Sequence, residues 1–159
     1  MSLFDAIKYG TIDINSKDDL NQLPSEVVKK WHARVVEHAC QSAESVVHKD
    51  KYEKSQKLID FTRKFMRGEV DNKVLSTAMD AAYYEDYSSY NAARSVVLDA
   101  AYAASEPVSD AAYFAARAAF DAASATADFD ESIATAAMKL YKEWIIEELV
   151  AYESEEFCN

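Results

Sequence analysis

The chain has 159 residues, a formal net charge of −11 at pH 7, and only two glycines and two prolines. This length suits one domain, and so few Gly and Pro residues exclude a β-sandwich or β-barrel, which needs them at its many turns. Because no run of 18 apolar residues and no secretory signal occurs, we expect a cytoplasmic protein. The composition predicts an all-α fold.

The negative charge is concentrated in the second half of the chain. Residues 1–77 contain 13 Lys and Arg against 12 Asp and Glu, whereas residues 78–159 contain 4 against 16. Nucleic acids and anionic membranes bind basic surfaces. We therefore expect no direct contact with nucleic acid or membrane, and a basic protein partner instead.

Residues 1–23 are predicted to form an N-terminal arm. A short helix from Ser2 to Tyr9 would end at Gly10, and a polar linker with at most a short strand at Thr11–Ile14 would follow. Pro24 suits the first turn of a helix, where its missing N–H is not needed. We therefore place the start of the helical domain at residue 24.

Apolar residues at helical spacing predict the helices of this domain. The expected helices are Val27–His48, Lys51–Arg67, Asp71–Ser105 with a break near Asp86–Ser89, Val108–Ala127 and Asp130–Tyr152. They make a single-domain antiparallel bundle of about five or six helices over residues 24–152, followed by an acidic C-terminal tail at 153–159.

Alanine dominates the middle of the bundle. The tetrapeptide Asp-Ala-Ala-Tyr occurs at 80–83, 99–102 and 110–113. Alanine has the highest helix propensity, and its small side chain lets neighbouring helices approach to about 8 Å. We therefore predict tight, Ala-mediated packing in which aromatic side chains fill the remaining space.

The sequence contains no motif for catalysis or metal binding. His32, His38 and Cys40 are spread around one helix, so one tetrahedral ion cannot use all three. His38 falls near the stripe of Trp31 and is interpreted as a hydrogen-bonded core histidine. The glycine-rich nucleotide and nucleophile motifs need glycines that this chain lacks. We predict no catalytic residue, no metal ligand and no cofactor; an enzyme would need side chains that only the fold brings together.

Glu148 is a single carboxylate within the apolar face of the last helix. Such a group is unfavourable in a core unless a cation or hydrogen-bond donors meet it. Arg94 and Arg117 are the only arginines of the Ala-rich half. Glu148 is expected to be solvated where the helix frays, with a buried ion pair as the alternative.

The best candidate for a binding site is the segment from Tyr83 to Tyr90. It places four tyrosines and two carboxylates in eight residues, more than one helix can bury on one side. Exposed tyrosines give rigid contact area, and acidic neighbours suit a basic target. The predicted partner-binding residues are Tyr83, Tyr84, Glu85, Asp86, Tyr87 and Tyr90, with Glu143 and Glu147 from a second acidic cluster. The alternative for the tyrosines is that most of the rings cap the core of the bundle. The alternative for the second acidic cluster is that it is a solvated part of the tail.

Four segments between residues 24 and 150 occur in a familiar order. They are PSEVVKKWHARVVEHACQSAESVV, FTRKFMRGEV, an AAY/AAR/AAF tract and ATAAMKLYKEWIIEELV. In this order they resemble the alanine-rich, all-helical immunity proteins encoded beside bacterial polymorphic toxins. The resemblance implies an intracellular protein that neutralises a cognate toxin by binding it and has no catalytic residues. The arm, the density of Tyr and Asp, and the acidic tail depart from the family pattern.

We expect an immunity-type inhibitor whose acidic, tyrosine-bearing surface covers a basic active site or nucleic-acid groove of its partner, a toxin, nuclease or defence complex. One alternative is a virus-encoded nucleic-acid mimic of the anti-restriction or anti-CRISPR type, which would compete with DNA for its target. Another is a helical structural or assembly protein, which would form a defined oligomer above 17.8 kDa. The sequence leaves the oligomeric state open.

Overall fold

The structure, a computed structural model, describes residues 2–47, 53–84, 92–126 and 131–158. These residues form eight helices: α1 (Leu3–Lys8), α2 (Lys17–Leu20), α3 (Ser25–Val46), α4 (Glu53–Met66), α5 (Asn72–Tyr83), α6 (Ala92–Ser105), α7 (Val108–Thr126) and α8 (Glu131–Cys158). No strand occurs among them, so the predicted all-α class is confirmed. None of the described helices is long and apolar enough to cross a membrane.

The predicted count of five or six helices is wrong because the N-terminal arm contributes two more. Helix α1 begins after Ser2 and α2 begins after Ser16, and the hydroxyl of each serine accepts a hydrogen bond from a backbone amide of the first turn. Such N-caps stabilise helices too short to show an apolar period. The arm also packs on the bundle, since α1 contacts α8 and α2 contacts α7.

The short strand considered at Thr11–Ile14 does not form. The amides of Thr11 and Ile12 both donate to the carbonyl of Ala6, so this stretch closes the end of α1. Gly10 makes the turn with a φ of 77°, a left-handed conformation that glycine adopts without strain.

Two boundaries of the longer helices differ from the prediction. The stretch from Asp71 to Ser105 is two helices, α5 and α6, and the predicted break near Asp86–Ser89 lies outside the described residues. Helix α8 continues to Cys158 and does not end at Tyr152, so most of the expected tail is helical. Glu148 is half-buried on this continuous helix, and the expected fraying does not occur there.

Helix α3 lies at the centre of the bundle and packs against α4, α6, α7 and α8. The indole of Trp31 is fully buried, and its Nε1 donates to the carbonyl oxygen of Ile145 on α8 at 3.0 Å. One turn further along α3, the carbonyl of Val35 accepts from the hydroxyl of Tyr141 at 3.4 Å. These two polar contacts fix the register of α3 against α8 inside an apolar core.

Helices α6 and α7 pack on each other largely through alanine. The buried alanines of this pair are Ala100, Ala101, Ala103, Ala104, Ala111, Ala112, Ala115, Ala116 and Ala118. At one end of the contact the rings of Tyr102 and Phe114 stack with centroids 5.1 Å apart. The small side chains bring two backbones close together, and any side chain larger than Ala between them is enclosed on all sides.

Candidate functional site

The predicted binding segment begins at the C-terminal end of α5. Tyr83 is the last residue of the helix and Tyr84 is its C-cap. Their side chains are 50% and 63% exposed, and the rings meet edge to face with centroids 5.0 Å apart. These two rings, here called the tyrosine pair, therefore face solvent and do not cap the core. The other predicted residues of the segment lie outside the described residues: Glu85, Asp86, Tyr87 and Tyr90.

Arg94, near the start of α6, holds the tyrosine pair in place. Its guanidinium carbon lies 5.2 Å from the centroid of the Tyr83 ring, and its Nη1 donates to the Tyr83 carbonyl oxygen at 2.9 Å. A cation at the C-terminal end of a helix also opposes the partial negative charge of the last carbonyl groups. The face of Tyr83 thus already accepts a guanidinium group, and the ring is oriented before any partner binds.

A polar cleft of about 540 Å³ opens between α5 and α6 beside the tyrosine pair. Its wall carries the exposed carboxylates of Asp80 and Glu106, and the phenol rings of Tyr83, Tyr84 and Tyr102. No Lys, Arg or His side chain is among the described residues that line it. The charged side chains of its lining are therefore carboxylates, and the guanidinium group of Arg94 lies against Tyr83 at one end.

The second predicted acidic cluster lies elsewhere on the surface. Glu143 and Glu147 are exposed one turn apart on α8, where they line a cleft of about 290 Å³ together with Phe4, Lys8 and Ile146. This cleft shares no lining residue with the α5–α6 cleft. The structure therefore does not join the two acidic regions into one site, and Lys8 supplies a positive charge beside the second region.

A pair of buried carboxyl groups, which no sequence motif marks, lies between α6 and α7. Asp99 and Asp121 are each only 6% exposed. The nearest cation, Arg117, stays at the edge with its Nε 3.8 Å from Asp99 Oδ1. Within the described part of the chain, Oδ2 of each aspartate has no hydrogen-bond partner. Two such oxygens are satisfied when the carboxyl groups share one proton.

The environment of Asp99 favours that shared proton. Burial, a hydrogen bond to Asp121 and the negative charge of Asp121 raise the pKa of Asp99 to about 9, against a smaller opposing effect of Arg117. Asp99 therefore holds a proton far above the usual pH range of an aspartate, next to the carboxyl group of Asp121. Sequence offered one signal: Asp99 is flanked at helical spacing by Val96 and Ala103, which are buried. A single carboxylate inside an apolar stripe is a reason to look for a partner.

The chemistry of the carboxyl pair resembles that of a general acid–base site, but the described clefts do not lead a substrate to it. Paired carboxyl groups with separated proton affinities serve hydrolytic enzymes when substrate reaches them. Neither Asp99 nor Asp121 lines the α5–α6 cleft or the clefts beside α8. Both groups are buried, so we assign the pair to the contact between α6 and α7.

His32 and His38, which were considered as metal ligands from the sequence, contact other helices of the bundle. Nε2 of His32 lies 2.7 Å from the carbonyl oxygen of Ala103 and must donate to it, because a carbonyl only accepts. Burial lowers the pKa of His32, which favours the neutral ring, against a smaller opposing effect of the hydrogen bond to Ala103. His38 packs its ring against Tyr141 and Trp144, with centroids 4.7 and 4.6 Å away. Its buried Nδ1 has no hydrogen-bond partner in the described ranges, so the predicted hydrogen-bonded core histidine is instead held by aromatic contacts.

Cys40 is fully buried on α3, and burial raises the pKa of its thiol to about 12. A thiol with this pKa is not ionised at neutral pH and is a poor nucleophile. Across the described residues, no group of three His, Cys, Asp or Glu side chains is arranged to hold a metal ion.

Comparisons with protein-family models, with curated proteins and with solved structures found no match to the chain. The resemblance to immunity proteins therefore stays a prediction that rests on the quoted sequence segments. On the described surface, the tyrosine pair and the α5–α6 cleft combine exposed aromatic area with carboxylate side chains.

Proposed function

We propose that the protein is a non-enzymatic binding protein, an immunity-type inhibitor that neutralises a basic partner such as a toxin. The binding surface is the tyrosine pair together with the α5–α6 cleft. The observation that carries the proposal is the exposure of two packed tyrosine rings at the rim of a cleft whose charged side chains are carboxylates. Exposed tyrosines of this kind supply much of the binding energy at protein interfaces.

The orientation of the tyrosine pair supports tight binding. Immobilising a flexible side chain at an interface costs about 0.5–1.5 kcal/mol. Tyr83 is already held by the ring of Tyr84 and by the guanidinium group of Arg94. A partner that covers these rings therefore gains apolar contact with little loss of side-chain entropy.

The charge of the protein supports rapid binding to a basic partner. The formal net charge is −11, and 16 of the 28 acidic residues but only 4 of the 17 basic residues lie in residues 78–159. Opposite charges steer two proteins together and raise the association rate, and added salt screens this effect. We therefore expect the association rate constant to fall steeply between about 50 and 300 mM salt.

The proposal is tested by capturing the partner from lysate of the source organism at low salt and measuring its binding to purified variants. The double variant Tyr83→Ala/Tyr84→Ala should weaken binding at least about 30-fold, because two interface tyrosines are removed. Tyr9→Ala is the matched control, since this ring is 71% exposed on the N-terminal arm. The control should bind as the unmodified protein does.

Three results would contradict the proposal. The first is an unchanged affinity of the double tyrosine variant for the captured partner. The second is competition between DNA and this protein for that partner, with unchanged binding by the tyrosine variant; it would favour the nucleic-acid mimic. The third is recovery of the protein alone as a discrete oligomer, which would favour an assembly protein.

A further inference from the structure

The α5–α6 cleft is elongated along α5. Residues Asn72, Ser76, Asp80 and Tyr83 line it at intervals of three or four, so one face of the helix borders it for three turns. With a rise of 1.5 Å per residue, this face is about 16 Å long. The cleft is thus shaped for a segment of chain rather than for a compact small molecule.

The two carboxylates lie at different points along this cleft. Tyr83 at the end of α5 contacts Arg94 at the start of α6, and Asn72 at the start of α5 lines the same cleft as Ser105 at the end of α6. This is the arrangement of an antiparallel helix pair. Glu106 directly follows α6 and lines the cleft together with Asn72. Asp80 is eight residues further along α5, about 12 Å from that end.

We propose that the α5–α6 cleft binds an extended segment of the partner that carries two arginines four residues apart, one on Glu106 and one on Asp80. This inference rests on the proposed function and names what the surface recognises. An extended chain covers about 13 Å in four residues, close to the separation along α5, and side chains four apart point to the same side. Arginine is favoured over lysine because its guanidinium group binds a carboxylate through two hydrogen bonds and stacks on aromatic rings.

The chain itself contains an example of a guanidinium group stacked on an aromatic ring. The guanidinium group of Arg94 lies over the ring of Tyr83 at 5.2 Å, at the same end of the cleft as Asp80. The outward surface of the tyrosine pair lines the cleft together with the carboxylate of Asp80. An arginine on Asp80 would therefore be enclosed by aromatic surface as well as by charge.

The test uses the full chain and the synthetic peptide Gly-Arg-Gly-Ser-Gly-Arg-Gly, titrated by NMR at low salt. A peptide of the same composition with its arginines two residues apart tests the spacing, and a citrulline version tests the charge. We expect the first peptide to bind at least about fivefold more tightly than either control, because only it satisfies both carboxylates. Amide shifts should concentrate at Ser76, Tyr102 and Ser105.

Single charge-removing variants locate the site. Asp80→Asn and Glu106→Gln should each lower the affinity for the first peptide at least about fivefold, since each removes one charged hydrogen-bond acceptor. Asp110→Asn is the matched control, because Asp110 is an exposed aspartate that lines a different cleft. This variant should lower the affinity for the peptide less than about twofold, because it changes only the net charge of the protein.

Equal weakening by Asp80→Asn and Asp110→Asn, or equal binding of the arginine and citrulline peptides, would overturn the cleft assignment. The captured partner separates this inference from the proposed function. If Tyr83→Ala/Tyr84→Ala abolishes partner binding while Asp80→Asn and Glu106→Gln leave it unchanged, the inference fails and the proposed function stands. If the tyrosine variant leaves partner binding unchanged, the proposed function fails whatever the peptides show.

Discussion

Two clusters of three charged side chains connect neighbouring helices, and they differ in where the cation lies. Between α3 and α4, Arg63 lies between two carboxylates. Its Nε and Nη2 donate to Glu37 at 3.0 and 2.9 Å, and Nη2 also donates to Glu44. Between α6 and α7, the buried carboxyl groups of Asp99 and Asp121 interact, and Arg117 lies at the edge of the pair.

Each cluster contains one cation and two carboxyl groups, yet the electrostatic result is opposite. Hydrogen bonds to Glu44 and Glu37 raise the pKa of Arg63 above its usual range, so the first cluster is stable with every group charged. Burial and Asp121 raise the pKa of Asp99, so the second is stable only with a proton bound. Position and burial, rather than composition, decide whether a charge cluster stabilises a helix contact.

Replacing Asp99 by asparagine should produce the largest effect and remove the difference between the clusters. Folded Asp99 holds its proton up to a pKa of about 9, whereas an unfolded aspartate loses it near about 4. The stability that this proton confers is therefore complete below about pH 4 and is lost as the pH rises toward 9, by about 1.4 kcal/mol per pH unit. The amide side chain of the variant cannot ionise, so this dependence should disappear.

Urea unfolding at one-unit intervals from about pH 5 to about pH 10 measures this change as the difference in unfolding free energy between Asp99→Asn and the unmodified chain. The difference should favour the variant increasingly as the pH rises. Asp110→Asn removes an exposed carboxylate of α7 and should give a nearly flat difference. A flat difference for Asp99→Asn as well would show that the two carboxyl groups hold no shared proton.

Replacing Arg63 by glutamine should have an intermediate effect and turn the first cluster into a pair of unopposed carboxylates. The variant loses the charged hydrogen bonds to Glu37 and Glu44, which are both partly exposed. We expect about 1 kcal/mol lower stability at pH 7, because water screens such a pair. A double-mutant cycle with Glu37→Gln measures the pairwise energy, and a coupling of zero would contradict the assigned role.

Replacing Arg117 by glutamine should have the smallest effect on the free energy of unfolding. It should also increase the difference between the two clusters. Its side chain is 54% exposed and only approaches Asp99, so we expect about 0.5 kcal/mol or less at pH 7. Because the charge of Arg117 lowers the pKa of Asp99, its removal should raise that pKa further. The pH at which the Asp99→Asn difference levels off should move upward, and an unchanged pH would place the charge of Arg117 away from the pair.

Most of the helices could be predicted from the sequence because their signals are local. Asp71 caps α5 through its side chain as expected, and Gly68 ends the α4 segment with a φ of 74°. Helix α2 was missed because Lys17–Leu20 is a single turn and shows no period. The last turns of α8 were missed because residues 153–158 are mostly polar and continue no apolar stripe.

Only the part of the candidate site that lies on a single helix could be predicted from the sequence. The exposure of Tyr83 and Tyr84 follows from the number of rings in one stretch of chain. The α5–α6 cleft was not predictable, because it depends on which face of α6 meets α5. The contact of Asp99 with Asp121 likewise depends on the register of two alanine-rich helices, whose many similar small residues allow several registers.

The burial of Cys40 gives the domain an internal reporter of its own opening. With a thiol pKa of about 12 and no exposed surface, Cys40 cannot react with a thiol reagent until α3 separates from its neighbours. Its modification rate, resolved from that of Cys158 by peptide mass, therefore measures the frequency of that separation in native buffer. A bound partner that stabilises the folded domain should slow this reaction even when its interface lies far from α3.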